Sequence, residues 1–410
     1  MSKLSLPKDK IRILLLEGIH PSAVAALNAD GYSNVETLPH ALAGEELKAR
    51  IANVHMIGLR SNTKLTADVL SAAKRLMSIG CFCIGTNQVD LNAAKRMGVP
   101  VFNAPYSNTR SVAELVLGQI IMLLRGIPEK NANCHIGVWR KSAKDSHEVR
   151  GKVLGIIGYG HIGSQLSVMA EGIGMKVRYF DIEKKLTIGN AQSCASLDEL
   201  LAVSDVVSLH VPATPQTRDM ITARELGQMK PGSWLVNAAR GNVVVIGDLV
   251  AALKSRHLLG AAIDVFPVEP ASNNDEFVSP LREFQNVILT PHIGGSTEEA
   301  QESIGTEVVD KLIKYSDNGS TVGAVNFVEV FLPVKAGGTR FLHIHENVPG
   351  VLIQVNNIFS GRGLNISAQY LQTDGETGYV VIDADGDMDE RAVLEDLQKV
   401  KGTVRARILY

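Results

Sequence analysis

Cysteine is scarce in this chain, and the few cysteines present are not spaced for metal or redox chemistry. The 410 residues contain only Cys81, Cys83, Cys134 and Cys194, and no two of them form a C-x-x-C pair. Four cysteines in so long a chain also exclude a disulfide scaffold. Cys81 and Cys83 lie in an apolar run, where a buried thiol acts as a small hydrophobic side chain, so we expect no catalytic cysteine.

Net charge and long apolar runs are lacking as well. The 43 acidic and 41 basic residues give a formal net charge of −2, and both signs are spread along the chain, which excludes a basic surface for nucleic acid or an anionic membrane. No apolar stretch reaches the roughly 18 to 20 residues that a membrane-spanning helix needs, and the N-terminus lacks a signal-peptide core. The sequence predicts a cytoplasmic protein with small-molecule partners.

No arrangement of ligands predicts a metal site. Six histidines show no ligand spacing, namely His20, His40, His55, His135, His147 and His257. The acidic run 383–389 imitates a calcium loop, but its glycine is fourth instead of sixth and its twelfth position is Leu394 instead of glutamate. We interpret that run as a turn whose acids favour the N-terminus of the next helix.

The chain is long enough for several domains, and its first hundred residues predict an α/β unit. At 410 residues it exceeds one compact core, so two or three domains are expected. Short apolar strands alternate with amphipathic helices, which predicts a parallel sheet covered on both faces. The predicted strands are 11–16, 55–59, 76–83 and 99–103, and the predicted helices are 21–29 and 67–75.

Two more units follow. A second α/β pattern begins with a long helix at 111–125 and continues through strands at 153–157, 206–210, 233–237, 260–266 and 287–290. A helix at 297–315, with Ser296 and Glu299 spaced as a capping box, then returns the chain to the first unit. Beyond a proline- and glycine-containing linker, strands at 341–345, 365–373, 379–383 and 403–410 with helices at 349–359 and 389–401 give the ferredoxin-like βαββαβ order.

The strongest chemical signal is a glycine-rich turn between an apolar strand and a helix. Gly158, Gly160 and Gly163 form G-x-G-x-x-G, and Asp181 ends the next strand 18 residues after the last glycine. This order predicts a dinucleotide site, in which the pyrophosphate approaches backbone N–H groups at the helix N-terminus. Asp181 would accept hydrogen bonds from the adenosine ribose and would repel a 2′-phosphate, which favours NAD over NADP.

Three polar residues follow strands of the same unit and could carry out chemistry. In doubly wound folds ligands bind beyond the carboxyl ends of the strands, and Arg240, Glu269 and His292 lie just past three such ends. His292 would exchange the hydroxyl proton during hydride transfer, Glu269 would orient its ring, and Arg240 would bind a carboxylate. Each also has a structural interpretation: a strand-end ion pair, a solvated loop acid and a turn histidine.

Four segments together resemble the D-isomer-specific 2-hydroxyacid dehydrogenases. They are 158–163 (GYGHIG), 237–241 (NAARG), 260–270 (GAAIDVFPVEP) and 290–296 (TPHIGGS). The resemblance implies a Rossmann-type NAD-binding domain over 108–296, inserted in a discontinuous flavodoxin-like substrate domain over 1–107 and 297–332. A linker at 333–338 and an ACT regulatory domain at 339–410 would follow.

The resemblance also assigns site residues. Catalysis falls on Arg240, Glu269 and His292. NAD contacts fall on Gly158, Gly160, His161, Ile162, Gly163, Asp181, Ala238, Ala239, Arg240, Asp264, His292, Ile293, Gly294 and Gly295, with Asp264 holding the nicotinamide carboxamide. The implied reaction oxidises 3-phosphoglycerate to 3-phosphohydroxypyruvate in serine biosynthesis. Cations and N–H donors for the phosphate would come from Arg60, Ser61, Asn108, Arg110 and Lys141.

The ACT-like domain implies allosteric control. By resemblance His345, Asn347 and Asn365 would bind L-serine, the pathway product, between subunits of a homotetramer. The structural alternative is that Asn347 caps a helix and the histidines are exposed on their strand, which would leave the domain as a dimerisation surface only. For the whole chain two other functions stay open: reduction of hydroxypyruvate, glyoxylate or 2-oxoglutarate by the same chemistry, and a non-catalytic NAD-sensing regulator, because fold does not fix function.

Overall fold

Parallel sheets with helices on both faces make up most of the computed structural model, which describes residues 6–270, 274–333 and 337–409. The chain forms two compact units, one of Met1–Ser107 with Gln301–Tyr410 and the other of Asn108–Ala300. The second unit is thus inserted in the sequence of the first. The predicted domain boundaries stay predictions, and residues 334–336 of the proposed linker lie outside the described chain, as does Tyr410.

A five-stranded parallel sheet forms the N-terminal part of the first unit. Its order is β2-β1-β3-β4-β5, which is that of flavodoxin-like folds. Every residue of its strands other than β2 is buried, as expected where helices cover both faces. The elements are β1 (Ile13–Leu15), α1 (Pro21–Ala29), β2 (Val35–Thr37), α2 (Gly44–Ile51), β3 (Met56–Leu59), α3 (Ala67–Ala72), β4 (Ser78–Cys81), α4 (Leu91–Arg96) and β5 (Val101–Asn103).

The inserted unit contains a seven-stranded parallel sheet. Its elements are α5 (Thr109–Arg125), α6 (Ile127–His135), β6 (Val153–Ile157), α7 (His161–Gly172), β7 (Lys176–Phe180), β8 (Gln192–Ser193), α8 (Leu197–Val203), β9 (Val206–Leu209), α9 (Ala223–Gln228), β10 (Ser233–Asn237), α10 (Ile246–Lys254), β11 (Leu258–Ile263) and β12 (Val287–Leu289). The order β8-β7-β6-β9-β10-β11-β12 is Rossmann-like and reverses between β6 and β9. Ligands bind at such a switch point, beyond the carboxyl ends of the strands.

The C-terminal part of the first unit is an antiparallel domain. Helix α11 (Glu298–Asn318) leads into β13 (Thr339–Glu346), α12 (Val351–Gly361), β14 (Asn365–Thr373), β15 (Thr377–Asp385), α13 (Glu390–Lys399) and β16 (Thr403–Leu409). The strand order β14-β15-β13-β16 confirms the ferredoxin-like prediction. Strand β14 is an edge strand with mostly exposed side chains.

Both faces of this antiparallel sheet are buried along β13. Phe341 packs against Val355 and Phe359 of α12. Leu342 and Ile344 point to the opposite face and belong to the cluster around α11. Successive strand residues face opposite sides, so one strand serves two cores. The C-terminal sheet and the N-terminal sheet therefore share an apolar core within the first unit.

Arginine contacts reinforce this packing. The Arg405 guanidinium on β16 donates to the backbone carbonyl oxygens of Leu76 at 2.7 Å and Gly98 at 3.3 Å. Arg340 on β13 forms a buried bidentate pair with Asp383 at 2.6 and 2.7 Å. Burial lowers the pKa of Arg405, and its two carbonyl partners replace the lost water.

Several elements were missed or misplaced by the sequence analysis. Helix α2 has only two buried residues, so its apolar period is too short to detect, and β8 has two residues in all. The capping box predicted at Ser296 and Glu299 is wrong. Thr297 instead accepts from the Ala300 N–H at 3.2 Å, because the helix begins at Glu298.

No single helix of the described chain is both long enough and apolar enough to span a membrane. Helices α5 and α6 meet both conditions only when taken together, across a 71° bend. Much of α5 is buried, in the same apolar cluster as β6.

Candidate active site and cofactor site

The predicted nucleotide-contacting residues lie at one edge of the seven-stranded sheet. Strands β6, β7, β10, β11 and β12 run parallel, so their carboxyl ends meet at that edge. The loops after these strands carry the glycine turn, Asp181, Ala238 to Arg240, Asp264 and the segment 292–295 in turn. The topology therefore places these residues around one crevice, although their individual roles stay predictions.

Two of the three glycines are required by the packing of the protein itself. Gly158 has φ +91°, and a Cβ there would lie 2.4 Å from the carbonyl oxygen of His210. A Cβ on Gly163 would lie 2.3 Å from the carbonyl oxygen of Gly158. Gly160, which caps α7, differs because a Cβ there would meet nothing within 4 Å. The space beside Gly160 at the helix N-terminus is open to an anionic group such as a pyrophosphate.

Asp181 is held at the same edge by backbone groups. Its carboxylate accepts from the N–H of Tyr159 at 2.8 Å and from the N–H of Glu183 at 2.9 Å. A carboxylate has about four acceptor positions, so two remain for ribose hydroxyls. The glycine turn and this anchored acid fit NAD, and the negative charge of Asp181 opposes a 2′-phosphate.

The different surroundings of the glycines lead to a prediction about two alanine variants. Gly163→Ala is expected to lower the melting temperature, because its methyl group collides with backbone. Gly160→Ala is expected to melt like the parent yet bind NADH about tenfold more weakly, since only the cofactor approaches that position closely. Thermal unfolding and NADH fluorescence titration measure the two effects. Equal NADH affinity of the parent and Gly160→Ala would contradict the placement of the pyrophosphate.

A histidine–carboxylate pair lies beyond β11 and β12. The Nδ1 of His292 lies 2.9 Å from Oε2 of Glu269, and the other oxygen of Glu269 accepts from the N–H of Phe266 at 3.1 Å. The side chains are 52% and 36% exposed, so solvent and small molecules reach the pair. With Nδ1 engaged by Glu269, Nε2 is the nitrogen left for a substrate.

The pair shifts the titration of both groups. The hydrogen bond and charge of Glu269 raise the pKa of His292, while partial burial and the charge of Arg240 oppose the rise. Partial burial raises the pKa of Glu269, but hydrogen bonds from His292 and Phe266 outweigh it, so the pKa lies below its ordinary value. His292 is therefore stabilised as a cation beside an ionised carboxylate, which suits a group that must both take and give a proton.

Asp264 pins the turn that carries His292. Its carboxylate is buried and accepts from the Thr290 hydroxyl at 2.5 Å and from the N–H groups of Ile293 and Gly294, each at 2.9 Å. His292 has φ +55°, an uncommon conformation for a residue with a side chain. The contacts of Asp264 on both sides of His292 hold that backbone in place. Its predicted role toward the carboxamide stays a prediction.

Arg240 completes the group. It follows β10, and the Asn237 side chain fixes its loop by donating to the Arg240 carbonyl at 3.1 Å and accepting from the Ala239 N–H at 3.0 Å. The positive charge of Arg240 lowers the pKa of both Glu269 and His292. The structure thus brings together the arginine, the glutamate and the histidine that the sequence singles out.

Two of the predicted substrate residues, Arg60 and Ser61, lie in the first unit on the loop after β3. The buried Glu17 carboxylate accepts from the N–H groups of Arg60 at 3.2 Å, Asn62 at 2.9 Å and Thr63 at 2.9 Å. The Gln88 side chain donates to the Arg60 carbonyl at 2.8 Å. The sequence analysis missed Glu17, although it follows β1 as Arg240 follows β10, and the same strand-end rule would have selected it.

The other three predicted substrate residues lie in the inserted unit. Arg110 pairs with Glu114 one turn later on α5 at 2.5 Å, which is the ion pair of an exposed helix face. The Asn108 side chain lies against Gly295, where a Cβ would come within 2.6 Å of its amide nitrogen. Lys141 is exposed between α6 and β6. A shared phosphate site stays a prediction for all five substrate residues.

The predicted effector residues do not lie together within one chain. His345 is buried near the end of β13, and the Asn347 side chain donates to the Asp374 carbonyl at 2.6 Å just beyond it. Asn365 pairs in register with Asp385, whereas His345 pairs with Gly378, so Asn365 lies at the opposite end of the sheet. At 3.3 Å per residue the eight steps along β14 separate the two ends by about 25 Å.

Metal ligands are not clustered in the part of the chain that is described. No group of three or more His, Cys, Asp or Glu residues there could hold a metal ion. In the acidic run that imitates a calcium loop, Asp389 instead caps α13 by accepting from the Ala392 N–H at 3.1 Å.

Two segments of the chain match known families. Residues 117–294 match the NAD-binding domain of the D-isomer specific 2-hydroxyacid dehydrogenases. Residues 341–405 match an ACT domain like that of the AHAS small subunit. The first match covers the glycine turn, Asp181, Arg240, Glu269 and His292, and the second covers most of the antiparallel domain.

Full-length relatives agree with these matches. The D-3-phosphoglycerate dehydrogenase of Escherichia coli K12 is 61% identical, with 100% of both chains covered, and that of Haemophilus influenzae is also 61% identical with the same coverage. The D-lactate dehydrogenase of Aquifex aeolicus, solved with NAD and lactic acid, has a TM-score of 0.65 at 27% identity and covers 74% of this chain and 95% of its own. The chain therefore belongs to the D-isomer-specific 2-hydroxyacid dehydrogenases, and it is an NAD-dependent enzyme with a C-terminal ACT domain.

Proposed function

We propose that this enzyme oxidises 3-phosphoglycerate to 3-phosphohydroxypyruvate, the first step of phosphorylated serine biosynthesis. The observation that carries the proposal is the 2.9 Å contact between His292 and Glu269 beside Arg240 at the cofactor edge. Relatives named for this reaction, which match over the whole chain, supply the substrate.

The residues divide the chemistry between them. The glycine turn and Asp181 would hold NAD, which when bound would supply the hydride acceptor for the carbon that carries the hydroxyl group. His292 takes the hydroxyl proton on Nε2, and Glu269 stabilises the imidazolium that forms. Arg240 holds the substrate carboxylate by two parallel hydrogen bonds and polarises the reacting oxygen. In the reverse direction the same imidazolium returns the proton to the alkoxide.

Substrate choice would depend on the phosphate. The loop of Arg60 and Ser61 offers the Arg60 guanidinium and the Ser61 hydroxyl, and Glu17 and Gln88 hold the backbone of this loop in place. Because Arg110 already pairs with Glu114, the phosphate site has one fewer uncommitted cation, which makes the unphosphorylated acids a second candidate.

The test is NADH consumption by purified enzyme with 3-phosphohydroxypyruvate, compared with hydroxypyruvate, glyoxylate and 2-oxoglutarate. We expect kcat/KM to be highest for the phosphorylated acid. A higher kcat/KM for hydroxypyruvate or glyoxylate would reassign the substrate while leaving the chemistry intact. Repeating the assay with L-serine tests control by the proposed effector.

The pH profile of the reduction direction is expected to change when Glu269 is replaced by glutamine. His292 must be protonated to donate, so reduction fails as pH rises above the His292 pKa, which Glu269 raises. Glu269→Gln removes that charge, and the alkaline limb of kcat/KM should move to lower pH. Glu283→Gln, an acid outside the pair, is the control. An unmoved limb would show that Glu269 does not set the titration of His292.

The ACT domain is proposed to bind L-serine between two copies of the chain in a homotetramer. Strand β14 is an exposed edge, and antiparallel pairing with β14 of a second copy is a common way to cover such an edge. That pairing would place Asn365 of one copy at the end of the sheet that carries His345 and Asn347 of the other. The separation of these residues within one chain supports a site formed by two copies of the chain. The molecular mass of the purified protein in solution tests the homotetramer.

A further inference from the structure

Two buried histidines contact each other on β13. His343 and His345 are two residues apart and so point to the same face, and their residues are 1% and 2% exposed. The rings stack with centroids 5.2 Å apart, and the two Nδ1 atoms are 3.3 Å apart. Two like atoms in hydrogen-bond contact must have different protonation, because one donates and the other accepts.

Both rings are neutral at physiological pH. Burial, together with the neighbouring His345, lowers the pKa of His343 to about 4, and burial lowers the pKa of His345. A neutral imidazole carries one N–H and one bare nitrogen. The tautomer of one ring therefore determines the tautomer of the other.

Thr403 determines the tautomer of His343. Its hydroxyl lies 2.8 Å from Nε2 of His343 and donates to the Leu397 carbonyl at 2.9 Å. A carbonyl can only accept, so the single hydroxyl proton points to Leu397 and the hydroxyl oxygen accepts from Nε2–H of His343. The Leu397 carbonyl is itself a hydrogen-bond partner of the His343 ring, which adds a second acceptor there.

The chain of bonds ends on His345. With the proton of His343 on Nε2, its Nδ1 is bare and accepts from Nδ1–H of His345. The Nε2 of His345 is then a bare acceptor. This atom lies over Gly378, where a Cβ would come within 2.3 Å of it.

We propose that Thr403 and His343 are positioning residues that hold His345 in its Nδ1–H tautomer, so that Nε2 accepts a hydrogen bond from the ammonium or hydroxyl group of an amino-acid effector. This inference rests on the proposed role of the ACT domain. His345 would then contact the ammonium or hydroxyl group of the ligand, both of which donate hydrogen bonds. The ligand carboxylate, which only accepts, would have to bind elsewhere. Recognition of a donor by a bare nitrogen rejects ligands that offer only acceptors at that point.

The tautomer is measured without effector, by solid-state ¹⁵N spectra of the full-length enzyme labelled at histidine, with His345→Gln and His343→Gln used for assignment. The expected spectrum has a bare Nε2 on His345 and a bare Nδ1 on His343. A proton on Nε2 of His345 would overturn the inference, whether or not L-serine binds. If the spectrum is as expected but the enzyme fails to bind L-serine, the proposed effector is refuted and the tautomer stands.

The second measurement is calorimetric titration with L-serine of the Thr403 variants. Thr403→Val keeps the shape but leaves Nε2–H of His343 with the Leu397 carbonyl alone as acceptor, and we expect affinity to fall by at most about tenfold, as for one lost hydrogen bond of 1.4 kcal/mol. Thr403→Ser keeps the hydroxyl and should bind within about twofold of the parent by the same argument. NADH turnover without serine should be unchanged in both, which checks folding. If Thr403 acted only through its methyl group, L-serine affinity would fall more in Thr403→Ser than in Thr403→Val. That order would refute the proposal that the Thr403 hydroxyl acts through His343 on His345.

Discussion

Replacing His292 by alanine is expected to lower kcat with 3-phosphohydroxypyruvate by about a thousandfold, within the 10²- to 10⁴-fold range of general acid–base catalysis. The imidazole is the proposed proton donor to the reacting oxygen, and we do not expect Glu269 to hold a water in its place with the same geometry. NADH affinity should change little, because the predicted pyrophosphate and ribose contacts lie in the glycine turn and at Asp181. Steady-state kinetics and fluorescence titration separate the two quantities.

The control for this variant is His135→Ala, which removes an exposed histidine at the end of α6. That variant should retain the parent kcat. A kcat for His292→Ala within tenfold of the parent would show that another group supplies the proton. In that case the contact with Glu269 would be structural only.

The second large effect is expected for Arg240→Lys. Lysine keeps the charge but cannot form two parallel hydrogen bonds with a carboxylate. A charged hydrogen bond contributes about 1.5–3 kcal/mol, so kcat/KM should fall by roughly 10- to 150-fold, mainly through KM. Because the positive charge stays, the pH profile set by His292 should stay close to that of the parent.

Arg256→Lys supplies the matched control, since Arg256 is exposed and pairs only with Asp145 among its recorded ion pairs, at 2.8 Å. Its kinetics should equal those of the parent. If Arg240→Lys lowered kcat and left KM unchanged, the arginine would act in the transition state instead of gripping the ground-state carboxylate.

The placement of the candidate catalytic residues at one edge of the sheet was predictable, because it obeys a rule of topology. Parallel strands bring their carboxyl ends to one edge, so residues far apart in sequence, such as Arg240 and His292, could be expected to meet. The same rule applied to β1 would have found Glu17. The rule does not predict which groups form hydrogen bonds. The hydrogen bonds of Asp264 with the N–H groups that follow His292 depend on the backbone path of a short turn, which the sequence pattern does not reveal.

The effector site was predicted less completely. Strand register determines which residues share an end of a sheet, and register depends on loop lengths and on pairing across strands. By resemblance the sequence assigns Asn365 and His345 to one effector site between subunits, and this stays a prediction. That they lie at opposite ends of the sheet within one chain follows from the pairing of β14 with β15, which the sequence did not reveal. The short elements β2, β8 and α2 were missed because a few residues carry too little periodicity to stand out.

Strand β13 contributes side chains to two apolar clusters at once, and this bears on how the enzyme could be freed from the proposed feedback by L-serine. Cutting the chain after Gly338 would remove Leu342, Ile344, Tyr379 and Val381 from the cluster that surrounds α11. Tyr315 on α11, which belongs to the same cluster and whose ring lies against Arg407 of β16, would lose that cover. An exposed apolar patch of this kind promotes aggregation. The ACT domain is thus not a detachable module, and a serine-insensitive enzyme is better sought by single substitutions near His345 than by truncation.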